Sequence, residues 1–557
     1  MRGRSWSGGV GSRFGGWFRR AGALAAVGAA LSLAGCGAGG PADGERYDVL
    51  IVGGTVVDGT GAPRFAADVG IRDGRIVRVS RDPLPRGRAT RVIDASGHVV
   101  APGFIDLHAH LDPLLRLPDA ESHVRQGVTL GLGGPDGNSP FPLGAYLDSA
   151  AAAGLGMNVA FLVGHNTVRR AVMGLEDRAP TAEELERMKA MVAEAMRDGA
   201  FGLSTGLRYL PGAFSELDEV VELARVAAEY GGIYTSHLRD EGLDLIRGVA
   251  EALEIGRRAG IPVVLTHHKA IGQPMWGQSV RTLAMVDSAR AAGTDVMLDQ
   301  YPYTATYTGI SVLVPSWALA GGDEAFLRRV EDPALRDSVI AGIVWNIEND
   351  RGGGDLSRVQ LARVEWDPWL EGRTLRDWAE REGLEPTPRV GAELVIEAIR
   401  RGGASAIYHV LDEGDVERIM RHPMTAIASD GRLTRPGEGH PHPRWYGTFP
   451  RVLGHYVRER GVLELEEAVR KMTSLPASRL GLEDRGRIAE GVWADVVVFD
   501  PETVADRATF EDPHQYPVGI PYVLVHGVVV VDGGNMTMAR PGRVLRRGEA
   551  SVAAAGA

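Results

Sequence analysis

The chain has 557 residues and a single cysteine, Cys36. One cysteine excludes an internal disulfide and a Cys-rich zinc knuckle. Charge of one sign is also missing where nucleic-acid binding would need it. The net charge is −11, and no basic block follows the N-terminal segment, which argues against a nucleic-acid partner. No internal repeat and no low-complexity tract occurs between the termini. Nor is there a convincing membrane span of ~20 apolar residues. The apolar run Ala21 to Leu33 is too short and too rich in Gly and Ala. Glycine, by contrast, is plentiful at 74 residues, as many tight strand-to-helix turns require.

What stands at the N-terminus reads as an export signal. Arg2, Arg4, Arg13, Arg19 and Arg20 form a positive region, the apolar run follows, and Leu33-Ala34-Gly35-Cys36 closes it. These four residues resemble a bacterial lipobox, in which the Cys is lipidated and becomes the new N-terminus; the alternative is an ordinary signal peptide. The lipobox implies lipidation at Cys36, and lipid chains anchor a soluble domain to a membrane face. The expectation is an exported, membrane-anchored lipoprotein on the periplasmic or cell-surface face. Residues 1–35 are then the signal and 36–46 a Gly/Ala/Pro tether.

Beyond the tether, both ends of the chain read as short strands with turns. Asp48 to Val52, Asp68 to Ile71 and Ile76 to Val79 are strand runs, the last two joined by the hairpin signal Asp73-Gly74. Ala494 to Phe499 and Val523 to Val529 have the same texture. Residues 47–101 and 481–540 are therefore expected to form one small β-sandwich. Between them strands and helices alternate over 102–480. Thr181 and Glu184 make a capping box, and Leu185, Met188, Val192 and Met196 recur at helical spacing, predicting a helix to about Arg197. Helices are also expected over Val220 to Tyr230 and Leu245 to Ala259, ended by Gly231 and Gly260.

Strand candidates start near Phe104, Val128, Val159, Phe201, Ile233, Val263, Val296, Ala406 and Ala426. That is nine for an eight-stranded α/β barrel, and the surplus member lies near Val296 or Ala406. About a hundred residues separate those two, far beyond an ordinary connection. An inserted subdomain over about 310–401 is expected.

Five candidate metal ligands end such runs: His108, His110, His237, His267 and Asp430. Barrels of this kind keep their chemistry at the C-terminal ends of the strands. His108 and His110 are two apart, so on a strand they leave the same face. Imidazole with carboxylate suits zinc, one ion or two, with other divalent metals able to compete. Each residue alone reads as a buried histidine or a turn aspartate; together they read as a metal site. Of the pair His267-His268, the first directly ends the strand run and is preferred. His165 also ends a strand and is expected at most to line the pocket.

Several motifs carry a specific resemblance. Pro102-Gly103-Phe104-Ile105-Asp106 followed by His108-Ala109-His110 resembles the first-strand signature of the amidohydrolase superfamily. Ser204 to Tyr209, Ser236 to Gly242, Thr266 to Lys269, Tyr301 to Ala305, Ser429-Asp430-Gly431 and His442 to Arg451 resemble N-acyl-D-amino-acid deacylases, the D-aminoacylases. The likeness runs from about Tyr47 to Gly533. It implies a TIM-like (β/α)8 barrel and hydrolysis of the amide of N-acyl-D-amino acids, or related D-configured fragments, by a metal-activated water. In that reading His237 and His267 hold the tighter metal, His108 and His110 the outer one, and Asp430 serves as general base and then general acid.

The substrate's free carboxylate needs a fixed cation, and Arg444 can hold it bidentately. Tyr301, Tyr209 and Lys269 are further substrate-binding candidates; otherwise the tyrosines belong to the core, and Lys269 is electrostatic support for the neighbouring ligand or a loop lysine. D-aminoacylases commonly place a Cys ligand after the second barrel strand, where this chain reads Gly133-Gly134-Pro135-Asp136-Gly137. Asp136 is the nearest group able to replace it, although Pro-Asp-Gly is also an ordinary turn. Rival readings are a dihydroorotase-like or isoaspartyl-dipeptidase-like enzyme, and a non-catalytic lipoprotein that only binds a ligand.

Overall fold

A computed structural model describes residues 46–548; the export segment and Cys36 lie outside them. No helix among the described residues is long and apolar enough to cross a membrane.

Eight short parallel strands form the centre. They are β1 (Phe104–Asp106), β2 (Val128–Gly133), β3 (Asn158–Phe161), β4 (Gly202–Gly206), β5 (Ile233–His237), β6 (Val263–Leu265), β7 (Val296–Gln300) and β8 (Thr425–Ile427). Pairing runs in sequence order around the ring. β1 to β3 pair in parallel, as do β4 to β8. Val163–Gly164 joins the end of β3 to β4. The ring closes where Gly431–Arg432, after β8, runs beside Ala109–His110, after β1. The Asp430 amide donates to the His108 carbonyl there at 3.0 Å or less (2.9 Å).

Alternation along the strands sorts the side chains. Ile105, Leu132, Ala160, Ile233, Val264, Met297 and Ala426 come from strands all round the ring yet form one apolar cluster, so they fill the barrel. Their neighbours Phe104, Val159, Tyr234, Val263 and Val296 pack outward with helix residues such as Val220, Leu223, Val249 and Val286. Those helices begin and end as the sequence dictates. Thr181 caps Ala182–Arg197 with the full capping box, and Gly260 closes Leu245–Ala259 in the left-handed conformation at φ 66°.

Strands from both ends of the chain meet in one nine-stranded sheet. Val496–Phe499 pairs antiparallel with Val99–Pro102, which in turn lies beside Tyr47–Val56. Val496, Val498 and Leu524 pack within this sheet's own core, whereas Val497, Phe499 and Val523 face the barrel's outer layer.

The strand at Ser405–Tyr408 is the surplus one. It pairs antiparallel with Thr306–Gly309 and Val359–Arg363, away from the barrel. With helices such as Pro333–Asn349 and Pro388–Arg400 it builds an insertion between β7 and β8 that has its own apolar core. The insertion is therefore wider than the expected 310–401, because its sheet includes strands on both sides of that range.

Candidate metal centre

The ends of the barrel strands converge on a cavity of about 330 Å³. His110, Asp136, Tyr209, His237, His267, Lys269, Tyr301, Asp430 and Arg444 line it, and His108 lies behind them, fully buried. All the candidate site residues of the barrel are thus brought to one place.

Their donor atoms fall into two groups that share Asp136. In the first, His237 Nδ1 is 2.8 Å from His267 Nε2. Asp136 Oδ1 is 3.3 Å from His267 Nε2 and 3.7 Å from His237 Nδ1. These separations leave a centre about 2 Å from all three atoms, which is the zinc–ligand distance. The second group holds His108, His110, Asp136 and Asp430. Asp136 Oδ2 is 3.5 Å from His108 Nε2 and 3.6 Å from His110 Nε2. Asp430 Oδ1 is 3.6 and 3.1 Å from the same two nitrogens. One carboxylate therefore faces each histidine pair with a different oxygen.

The chemistry of the donors fits a divalent cation. Both ring nitrogens of His108 are buried without a hydrogen-bond partner. Such a ring is costly to bury unless something takes its lone pair. Asp136 has the position of a bridging ligand, and it is also a turn residue, with φ 53°. His267 and Asp430 share the left-handed backbone, at φ 36° and 46°. This conformation costs a non-glycine residue about 1 kcal/mol or more, and such strain clusters at functional sites.

A second layer fixes the ligands. Glu241 is buried, with Oε1 3.1 Å from His267 Nδ1 and Oε2 3.5 Å from His237 Nε2. It turns the opposite nitrogen of each ring toward Asp136, the arrangement by which a carboxylate orients metal-binding imidazoles. Lys269 Nζ lies 2.5 Å from Glu241 Oε1 and 2.7 Å from His267 Nδ1. Expected at the substrate, this ammonium is held by Glu241, and burial lowers its pKa. Asp299 accepts the His267 amide at 2.6 Å, and Asp106 accepts the amides of His108 and Ser429 at 3.1 and 3.0 Å. Burial pushes Asp106 up to about 6, against those hydrogen bonds.

Arg444, fully inside, forms an ion pair with Asp430, Nη2 lying 3.0 Å from Oδ1. Its Nε and Nη1 are buried without partners. Burial raises the Asp430 pKa, but Arg444 and His108 outweigh it and hold the carboxyl below its usual range. Tyr301 lies under the guanidinium at 4.5 Å, its hydroxyl unpartnered. Burial drives the Tyr301 pKa far up, so it remains a donor. Tyr209 packs on His237, ring centres 4.6 Å apart, and accepts from the Thr308 hydroxyl at 3.1 Å.

Two histidines stand apart. His268 turns away to Thr282, 2.8 Å from its hydroxyl, and burial lowers its pKa to about 3. His165 is 2.7 Å from Glu219, which Arg169 also holds. The sequence reading missed Glu241 and Arg351. Glu241 had a signal, standing four residues after His237 within a quoted motif. Arg351, a buried cation lining the cavity from the insertion, had none.

Known proteins resemble this chain over most of its length. The sequence profile of the Amidohydrolase family matches residues 91–306 and 353–531. An N-acyl-D-glutamate deacylase of Alcaligenes xylosoxydans xylosoxydans is 41% identical over 534 residues, covering 92% of this chain and 99% of its own. A D-aminoacylase of the same organism is 39% identical, covering 91% and 99%. The crystal structure of N-acyl-D-glutamate deacylase from Bordetella bronchiseptica, complexed with zinc and a phosphonate mimic of the tetrahedral intermediate, superposes with a TM-score of 0.77 at 39% identity. It covers 90% of this chain and 100% of that one.

Proposed function

The chain belongs to the amidohydrolase family, among its N-acyl-D-amino-acid deacylases, and from that premise we propose that it hydrolyses the amide bond of N-acyl-D-amino acids in a zinc-dependent reaction. The observation that carries this reading is the convergence of both histidine pairs, Asp136, Asp430 and Arg444 on one cavity. His237, His267 and Asp136 are the residues to hold one ion, and His108, His110, Asp136 and Asp430 a second. The relatives' metal chemistry agrees: a D-aminoacylase with a binuclear centre, activated by one metal and attenuated by the second, superposes at TM-score 0.76 and 38% identity.

When bound, zinc makes hydroxide available near neutral pH and polarises the scissile carbonyl. The chain's own groups supply the rest. Asp430 is charged, because the Arg444 guanidinium beside it holds it so. It takes the proton of the attacking water and hands it to the departing nitrogen. An amine leaves poorly until it is protonated, so this transfer is required. The free Nε and Nη1 of Arg444 receive the substrate's α-carboxylate beside that carboxyl, and the Tyr301 hydroxyl is a further donor. Preference for the D configuration rests on the relatives. The non-catalytic alternative depended on the missing Cys ligand; the Asp136 carboxylate, 3.3 Å from His267 Nε2 and 3.7 Å from His237 Nδ1, supports a replacement donor.

Amine release from paired N-acetyl-D- and N-acetyl-L-amino acids tests the proposal. The D series is expected to react, chelator to stop it, and Asp430→Asn to lower kcat by ~10²–10⁴-fold. Equal rates on both series, or full activity in the Asn variant, overturns it.

The chain is further proposed to be exported and anchored through a lipid on Cys36. The support is the arginine-rich start, the short apolar run and the Leu33-Ala34-Gly35-Cys36 sequence. Palmitate labelling that survives in Cys36→Ala would contradict it.

A further inference from the structure

A second and much larger cavity, about 1210 Å³, adjoins the metal centre. The two share Asn138, Tyr209, Thr308 and Gly309 as a common wall. Drug-sized ligands occupy pockets of ~300–1,000 Å³, so the inner cavity suits a small N-acyl amino acid and the outer one exceeds its needs. The outer wall is mixed, with an apolar stretch beside charged residues. Leu210, Val312, Val314 and Leu319 line it, and Trp317 and Trp345 stand at 43% and 51% exposure, both large rings left in water. Its four arginines, Arg170, Arg208, Arg239 and Arg247, are offset by Asp240, Asp244, Glu251 and Asp323 in the same wall. Arg239 is held by Glu251 at 2.8 Å and by the Ala213 and Ser215 carbonyls, and Arg208 by Asp350 at 2.9 Å and the Val312 carbonyl. These pairs leave little net charge to select an anion.

The direction of the substrate follows from the site. Asp430 must reach the leaving nitrogen, and Arg444 touches Asp430, so the amino-acid half occupies that end. The acyl half then points the other way, toward His237, and Tyr209 is packed on that ring. Beyond Tyr209 lies the outer cavity. About half of its apolar side chains, both tryptophans among them, come from residues 307–352, the stretch between the two segments matched by the family profile.

We propose that the outer cavity binds a long aliphatic acyl chain, so that the substrates of this enzyme are N-acyl-D-amino acids with medium or long fatty acyl groups. This rests on the deacylase reading and deepens it. The chain passes the Tyr209–Thr308 wall and lies between Leu210 and the residues from Val312 to Trp345.

The test compares N-acetyl-, N-octanoyl- and N-decanoyl-D-glutamate and -D-leucine on the zinc-loaded enzyme, with Leu-Leu-D-leucine as a peptidyl control. Two variants accompany it: Ala213→Trp, which fills the outer cavity from a half-buried position, and the double exchange Trp317→Ala with Trp345→Ala at exposed positions. The expected result is a kcat/KM roughly tenfold or more higher for decanoyl than for acetyl substrates; each methylene removed from water strengthens binding by roughly fourfold. Ala213→Trp and the double variant remove that advantage and leave the acetyl rate within about twofold. Acetyl substrates that match the decanoyl ones, or a preference for the peptidyl substrate, overturn the proposal while the deacylase reading stands. Should no compound be hydrolysed, the deacylase reading falls, and calorimetric binding of N-decanoyl-D-leucine decides this one. Binding that Ala213→Trp weakens at least tenfold supports it, and absent or variant-insensitive binding overturns it.

Discussion

Arg444 and Asp430 form a buried ion pair, Nη2 lying 3.0 Å from Oδ1. The cation assigned to the substrate therefore also sets the charge of the carboxyl assigned to proton transfer. Burial raises that carboxyl's pKa and the guanidinium lowers it. Replacing Arg444 by Ala is expected to act twice. KM for carboxylate substrates rises by roughly 10²-fold or more, the loss of a bidentate charged contact. The acidic limb of the pH profile of kcat/KM moves to higher pH, because a carboxyl without its cation holds its proton longer. Rate measurements from pH 4 to 9 check both. A profile of unchanged shape with only KM altered would show that the contact has no electrostatic role.

Asp136 is expected to be indispensable to both metal groups, since each of its oxygens faces one histidine pair. Asp136→Ala should lose activity by more than the ~10–100-fold typical of outer partners of metal ligands. Asp136→Cys should retain metal, as a thiolate is itself a zinc ligand. Metal content and kcat/KM of the two variants check this. Wild-type metal content in the Ala variant would make Asp136 a turn residue and nothing more.

His526 offers a stability test away from the metal. It occupies the tight turn between Tyr522–Val525 and Val528–Asp532 at φ 48°, stacked on Trp493 with ring centres 4.6 Å apart. Burial, then Arg485 and Arg543, lower its pKa to about 3. A histidine lowered on folding contributes stability in full above its unfolded pKa of ~6.5, and loses it as pH falls toward the folded value. Between pH 7 and 4 that loss is about 3 kcal/mol. Asn accepts the left-handed turn and does not titrate. Urea unfolding of His526→Asn should therefore show a flatter decline from pH 7 to 4 than the wild type; parallel curves would contradict the buried neutral ring.

The barrel was legible because its strands are short apolar runs that end in chemistry-bearing residues. The same brevity hid the surplus strand. Val296–Gln300 and Ser405–Tyr408 read alike, since a run of three apolar residues does not reveal whether its partners are parallel or antiparallel. Only pairing with Thr306–Gly309 and Val359–Arg363 sets Ala406 apart. At Asp136 the sequence offered a turn or a ligand, and in the structure a residue with left-handed backbone carries a carboxylate that lies among both histidine pairs. Glu241 was invisible as a buried charge because its partner Lys269 arrives from another strand. Arg351 lies in the insertion, where no pattern of spacing points to a cavity.

Metal content tests the central claim most directly. Purified protein, analysed by plasma mass spectrometry, should carry zinc or a related divalent ion at about one to two per chain, and a double exchange of His237 and His267 to Ala should remove the tighter ion together with activity. Wild-type protein that turns over N-acyl-D-amino acids with no metal above trace, and is indifferent to chelator, would contradict it.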